Sequence, residues 1–110
     1  MKVLTILGTR PEIIKLSRTM SLLDRFVNHV VVHTGQNYDY ELNQVFFEDL
    51  GIKKPDHFLD VAEEKLGATI ANIIKILDEI FDIEKPDALL VLGDTNSCLS
   101  TIMAKRKKIP

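Results

Sequence analysis

The spacing of apolar positions changes several times along the chain, and each change predicts an element. Residues 3–7 form a short apolar run, with Thr5 its one hydroxyl side chain and turn residues after it. That is the pattern of a strand buried on both faces, as in a parallel sheet. From 12 to 26, Ile13, Ile14, Leu16, Met20, Leu22 and Leu23 recur at helical spacing and predict an amphipathic helix. Val30, Val31 and Val32 run into His33 and Thr34 as a second strand. Residues 38–50 predict a second helix, with Leu42, Val45, Phe46 and Leu50 on one face and Gly51 at its C-terminus. Residues 57–61 read as a short extended piece. Residues 66–81 carry the widest apolar stripe and predict the strongest helix. Pro86 and Asp87 break it, 88–92 form a third buried strand, and a last helix runs over about 97–107.

Alternating strands and helices predict an α/β fold, a doubly wound parallel sheet with right-handed crossovers. In that order the first and third strands are neighbours. Three strands make a small sheet with exposed edges, and Pro110 follows a helix where another strand is due. The chain is therefore expected to be the N-terminal piece of a longer protein.

Composition narrows the function classes. The 110 residues suit one domain, and 45% apolar content is enough for a core. A net charge of −2 offers no electrostatic footprint for nucleic acid. The single Cys98 excludes an internal disulfide framework and a multi-cysteine metal site. No apolar run is long enough to span a membrane, and the N-terminus lacks the pattern of a signal peptide. A soluble cytoplasmic protein is expected.

Open α/β sheets bind ligands beyond the carboxyl ends of their strands. Residues 8–12, 35–37 and 93–96 form that edge, and each loop begins with a glycine. Thr9-x-x-Glu12 matches a capping box, and Pro11 suits a first helical position. Free N–H groups and the positive dipole end then face the ligand edge. Arg10, with Lys15 one turn further on, suits a phosphate or diphosphate there. The plainer reading makes both of them solvated surface charges. The dinucleotide fingerprint and the P-loop are both absent from the sequence.

Asp94 directly follows the third strand. It reads either as a helix cap or as a general base or hydroxyl-holding group. Thr95 and Asn96 would cap as well. His33 reads as an edge or core histidine, while His29 and His57 fall in turns without metal-ligand spacing. Cys98 reads as a small buried residue. Lys105, Arg106, Lys107 and Lys108 read as cations complementing a helix C-terminus. Tyr38 and Tyr40 are candidates to line a pocket.

Gly8-Thr9-Arg10-Pro11-Glu12 with Lys15, and Gly93-Asp94-Thr95 after the third strand, resemble the non-hydrolysing UDP-N-acetylglucosamine 2-epimerase family. The spacing between these motifs, the His33-Thr34-Gly35-Gln36 strand end and the closing Lys108-Ile109-Pro110 are similar to that family too. The stretches 36–47 and 94–100 resemble a subgroup that makes UDP-N-acetyl-L-fucosamine for capsule and O-antigen polysaccharides. The resemblance implies the N-terminal half of a GT-B-type two-domain fold, with residues 1–110 an incomplete Rossmann-like domain. It implies C2 epimerisation of a UDP-HexNAc by UDP elimination and re-addition, without NAD or metal. Arg10 and Lys15 would hold the diphosphate, and Asp94 would be the catalytic carboxylate. Gln36 matches a family glutamine near an activator site. The residues after it differ from the family, so activation is not carried over. The implied partners are a UDP-sugar substrate and a second copy of the full-length protein. Residues 1–110 alone would be inactive, because later family acids and the second domain lie elsewhere. A GT-B glycosyltransferase and a non-catalytic nucleotide-binding module are the alternatives.

Overall fold

The computed structural model describes residues 1–35, 40, 44–93 and 95–110. In chain order the described elements begin with β1 (Lys2–Leu7), α1 (Arg10–Phe26), β2 (Asn28–His33) and α2 (Gln44–Asp49). They continue with β3 (His57–Phe58), α3 (Leu66–Glu84), β4 (Ala88–Leu90), a 3₁₀ turn (Asn96–Ser100) and α4 (Thr101–Arg106). The strands form one sheet in the order β3-β2-β1-β4, with every pairing parallel.

The expected doubly wound sheet is therefore the one observed, with β1 and β4 adjacent. It has four strands rather than three, because the extended piece at 57–61 joins β2. Beyond β3 the pairing continues through single bonds, Leu59 N–H to His33 O at 2.9 Å and Val61 N–H to Thr34 O at 3.2 Å. β4 ends at Leu90, before the end of the apolar run. The last predicted helix is split into the 3₁₀ turn and α4.

Side-chain alternation along the strands sorts the core into two layers. Leu7 and Val31 face Ile13, Leu16 and Met20 of α1, together with Phe47 of α2 and Ile52. Leu4, Ile6, Val30 and Val32 face Ile73, Leu77, Ile80 and Phe81 of α3, with Ala104 of α4. Leu4, Ile6, Leu7, Val31 and Val32 are all fully buried. Each such side chain contributes about 1.5–3 kcal/mol of transfer free energy. β1 is thus the most securely held element, and it delivers the chain to the loop at Gly8.

His29 and His57 lie in strands rather than in the turns expected. His29 is buried. Its Nδ1 donates to Asp24 Oδ1 at 2.6 Å, and its Nε2 meets the Thr5 hydroxyl at 2.7 Å. The chain resembles a nucleophile–base–acid series, but Thr5 is fully enclosed inside β1, so the cluster holds strands together. Lys53 reaches the His29 carbonyl oxygen and Asp56 from the same side. The basic run near the C-terminus also has a structural use: Lys107 pairs with Asp78 at 2.8 Å and Asp82 at 2.7 Å on α3.

Candidate functional site

The strand order reverses direction at β1. From β1 the chain goes first to β2 on one side, then to β4 on the other. Such a switch point leaves a crevice at the carboxyl end of the sheet. A cavity of about 430 Å³ lies there, lined by Gly8, Thr9, Arg10 and Glu12, by His33 to Gly35, and by Thr95 to Ser97. Phe46, Phe47 and Thr69 close its flanks. A second cleft of about 400 Å³ abuts it, lined by Thr9, Pro11, Glu12, Lys15, Leu92, Gly93 and Thr95.

The floor between the two is built by α1. Thr9 is extended (φ −124°, ψ 157°) and Pro11 lies in the first turn, so the helix starts abruptly at the sheet edge. Glu12 folds back and accepts the Gly8 N–H at 2.7 Å, the Thr9 N–H at 2.8 Å and the Thr9 hydroxyl at 3.1 Å. The capping box expected from Thr9-x-x-Glu12 is therefore closed. The N–H groups of Thr9 and Glu12 are thereby taken up by the protein itself, while the helix end still opens into the cavity. Glu12 also accepts the Thr95 hydroxyl at 2.6 Å and is fully buried.

Arg10 is exposed at this edge, and its guanidinium carbon sits 5.2 Å from the Phe46 ring centroid. A cation over an aromatic face keeps its charge while its aliphatic part is packed. Lys15 is exposed and lines the second cleft. At the far wall of the first cavity, His33 is buried, and its Nδ1 accepts the Gly35 N–H at 2.8 Å. That bond leaves Nε2 as the ring's N–H position when the imidazole is neutral. The cavity thus combines cationic, hydroxyl and imidazole groups with an aromatic flank. This is a composition suited to an anionic group attached to a polar ring.

A sequence profile of the UDP-N-acetylglucosamine 2-epimerase family matches residues 22–110. The chain belongs to that family. It is 38% identical over 107 residues to a UDP-N-acetylglucosamine 2-epimerase homolog of Methanococcus maripaludis, covering 97% of this chain and 30% of that one. It is equally, 38%, identical over 109 residues to the UDP-2,3-diacetamido-2,3-dideoxy-D-glucuronate 2-epimerase of Pseudomonas aeruginosa, covering 97% and 31%. The structure superposes on UDP-N-acetylglucosamine 2-epimerase from Rickettsia bellii with TM-score 0.92 and 59% identity, over 100% of this chain and 29% of that one. It superposes with TM-score 0.87 and 34% identity on the Methanocaldococcus jannaschii UDP-GlcNAc 2-epimerase in complex with UDP-GlcNAc and UDP, over 99% and 31%. The chain spans about three-tenths of the length of these relatives, as the N-terminal portion of their GT-B fold.

Of the site residues expected in this chain, Arg10 and Lys15 are both placed at the N-terminus of α1. They line adjoining clefts, with Thr9, Glu12 and Thr95 shared between the two. Asp94, Gln36 and Tyr38 lie outside the described residues. Tyr40 is buried against Phe47, 4.9 Å between ring centroids, and is absent from the described lining. Cys98 is half-buried rather than buried.

Sequence reasoning missed the second partner of Glu12. Thr95 was one of several caps on offer, and it does occupy the N-cap of the 3₁₀ turn. Its hydroxyl makes no cap bond there and goes to Glu12 instead. The signal lay in the capping box itself, whose glutamate has a second oxygen that a buried setting must satisfy.

Proposed function

We propose that this chain is part of an enzyme that inverts C2 of a UDP-linked 2-acetamido sugar, a UDP-N-acetylglucosamine 2-epimerase. The observation that carries the reading is the cavity at the switch point, where Arg10 and the α1 N-terminus meet at one sheet edge in a chain of this family. UDP departs as the C2 proton leaves, a glycal-type intermediate forms, and UDP adds back after reprotonation on the other face. Charge grows on the diphosphate during departure, and Arg10 and Lys15 stabilise it from the two sides of the α1 N-terminus. Asp94 supplies the carboxylate for proton transfer at C2. The family chemistry uses neither NAD nor metal.

The remainder of the protein completes the cleft as the second domain of the GT-B fold, and the full-length protein works as a homodimer in the cytoplasm. The product is a precursor of bacterial surface polysaccharide. Residues 1–110 alone do not turn over.

The test is NMR of a UDP-HexNAc incubated with the full-length protein in D₂O. Deuterium enters C2 if the reading holds. A glycosyltransferase of the same fold leaves C2 unexchanged, and that outcome rejects the reading. A panel of UDP-HexNAc substrates, including those leading to UDP-N-acetyl-L-fucosamine, assigns the sugar.

A further inference from the structure

We propose that Glu12 is a positioning residue, which through Thr95 holds the turn after β4 against the loop after β1. The inference rests on the UDP-sugar reading above. A capping-box glutamate has finished its work once it meets its own N-cap, and an ordinary one stays at the helix surface. Glu12 is fully buried, and its Oε1 takes the hydroxyl of a residue 83 positions away at 2.6 Å. Its Oε2 takes the Gly8 and Thr9 donors. One carboxylate therefore joins both loops of the switch point. The first carries Arg10, and the second contains Asp94, the sequence neighbour of Thr95.

Among the described residues, the ladder between β1 and β4 stops short of these loops. β1 and β4 are in register only as far as Thr5 and Leu90. Above that level the Glu12–Thr95 bond joins the two loops. A hydroxyl donating to a carboxylate is short and strong for a hydrogen bond, and here the carboxylate end is fully buried while the Thr95 end is half-buried. Proton transfer tolerates little misplacement, since a shift of about 1 Å costs on the order of 10²-fold in rate. A tie between the diphosphate loop and the carboxylate loop therefore governs turnover more than binding.

Thr95→Val in the full-length protein tests the tie. Thr95 is extended (φ −129°, ψ 164°), a conformation valine adopts readily, and the three donors on Oε2 remain. The expected result is a fall in kcat of about tenfold or more, with KM changed much less. Thr95→Ser keeps the hydroxyl and restores kcat. Glu12→Gln is a second probe. Its amide oxygen still accepts from Gly8 and Thr9. Its amide nitrogen donates to Thr95, whose hydroxyl turns to the Leu92 carbonyl, already 3.4 Å away. Glu12→Asp keeps the charge but is too short to reach both loops. Glutamine should therefore preserve kcat better than aspartate.

Wild-type kcat in Thr95→Val overturns the proposal. So does equal damage in Thr95→Ser, or aspartate outperforming glutamine. Deuterium uptake by the ligand-free protein reads the tie without any reaction: Thr95→Val should raise uptake in residues 8–13 and 95–100 together. If the wild type never exchanges C2, the UDP-sugar reading falls, and uptake alone decides the tie. Unchanged uptake rejects it.

Discussion

Gly8 and Thr34 stand so close that no further carbon fits between them. A Cβ built on Gly8 would lie 1.9 Å from the Thr34 hydroxyl oxygen and 3.2 Å from its Cβ. Thr34 cannot retreat, because its N–H is tied to the Leu7 carbonyl at 2.9 Å. Rotating the hydroxyl away relieves the first contact and leaves the second. Gly8→Ala should therefore push the β1–α1 loop out of place and destabilise the fold by about 1–3 kcal/mol. Thr34→Ala added to it should recover part of the loss. Melting temperatures of the two single variants and the double variant check this, and additive losses would contradict it.

Arg10 and Arg18 provide a matched pair for binding. Both are exposed on α1, but Arg10 lines the switch-point cavity and Arg18 lies by Ser21, Leu22 and Leu50. Arg10→Ala should weaken UDP binding to the full-length protein by about 1.5–3 kcal/mol, the scale of a lost charged hydrogen bond. Arg18→Ala should leave it unchanged. Calorimetric titration with UDP reads both, and equal affinities would make Arg10 a solvated cation.

Acid stability has an assigned contributor on the opposite side of the molecule. The His57 ring holds the Glu84 carboxyl below its ordinary value through a 2.7 Å bond, with Lys2 adding to it at 3.2 Å. A carboxyl lowered in the folded state stabilises at pH above its unfolded value, about 4.5. That stabilisation is lost as pH falls through the folded value. Glu84→Gln should lower the melting temperature by a steady amount at pH above about 4.5, and the gap should close on further acidification. A gap that persists at low pH would assign the effect to packing.

Periodicity made most of this fold legible. Ile13, Leu16 and Met20, and Ile73, Leu77 and Ile80, are the buried faces of their helices. The strand at His57 and Phe58 has two residues, too few for any alternation to show. Its place comes from backbone bonds to His33 and Thr34, which are invisible in local pattern. The site was legible where a local motif encodes geometry, as in Thr9-x-x-Glu12. The Glu12–Thr95 bond joins residues far apart in sequence and has no periodic signature. The separation of Arg10 and Lys15 into adjoining clefts depends on where α1 meets the β4 turn, which is a tertiary fact.

Asp94 follows the most apolar strand in the chain, and Thr95 beside it is bonded to Glu12. In sequence, Asp94 is therefore next to a residue tied to the Arg10 loop through Glu12. If Asp94 moves the C2 proton, Asp94→Asn in the full-length protein should keep its shape and much of its UDP affinity. Turnover should fall by about 10²-fold or more, the scale of a lost acid–base group. If Asp94 only caps the following turn, asparagine does so equally well, and turnover should stay near wild type. Thr95 already occupies the N-cap of that turn, which weakens the capping alternative. The measurement is kcat beside the melting temperature. An unchanged melting temperature with a large loss of kcat assigns the chemistry to the carboxylate, and an unchanged kcat removes Asp94 from the mechanism.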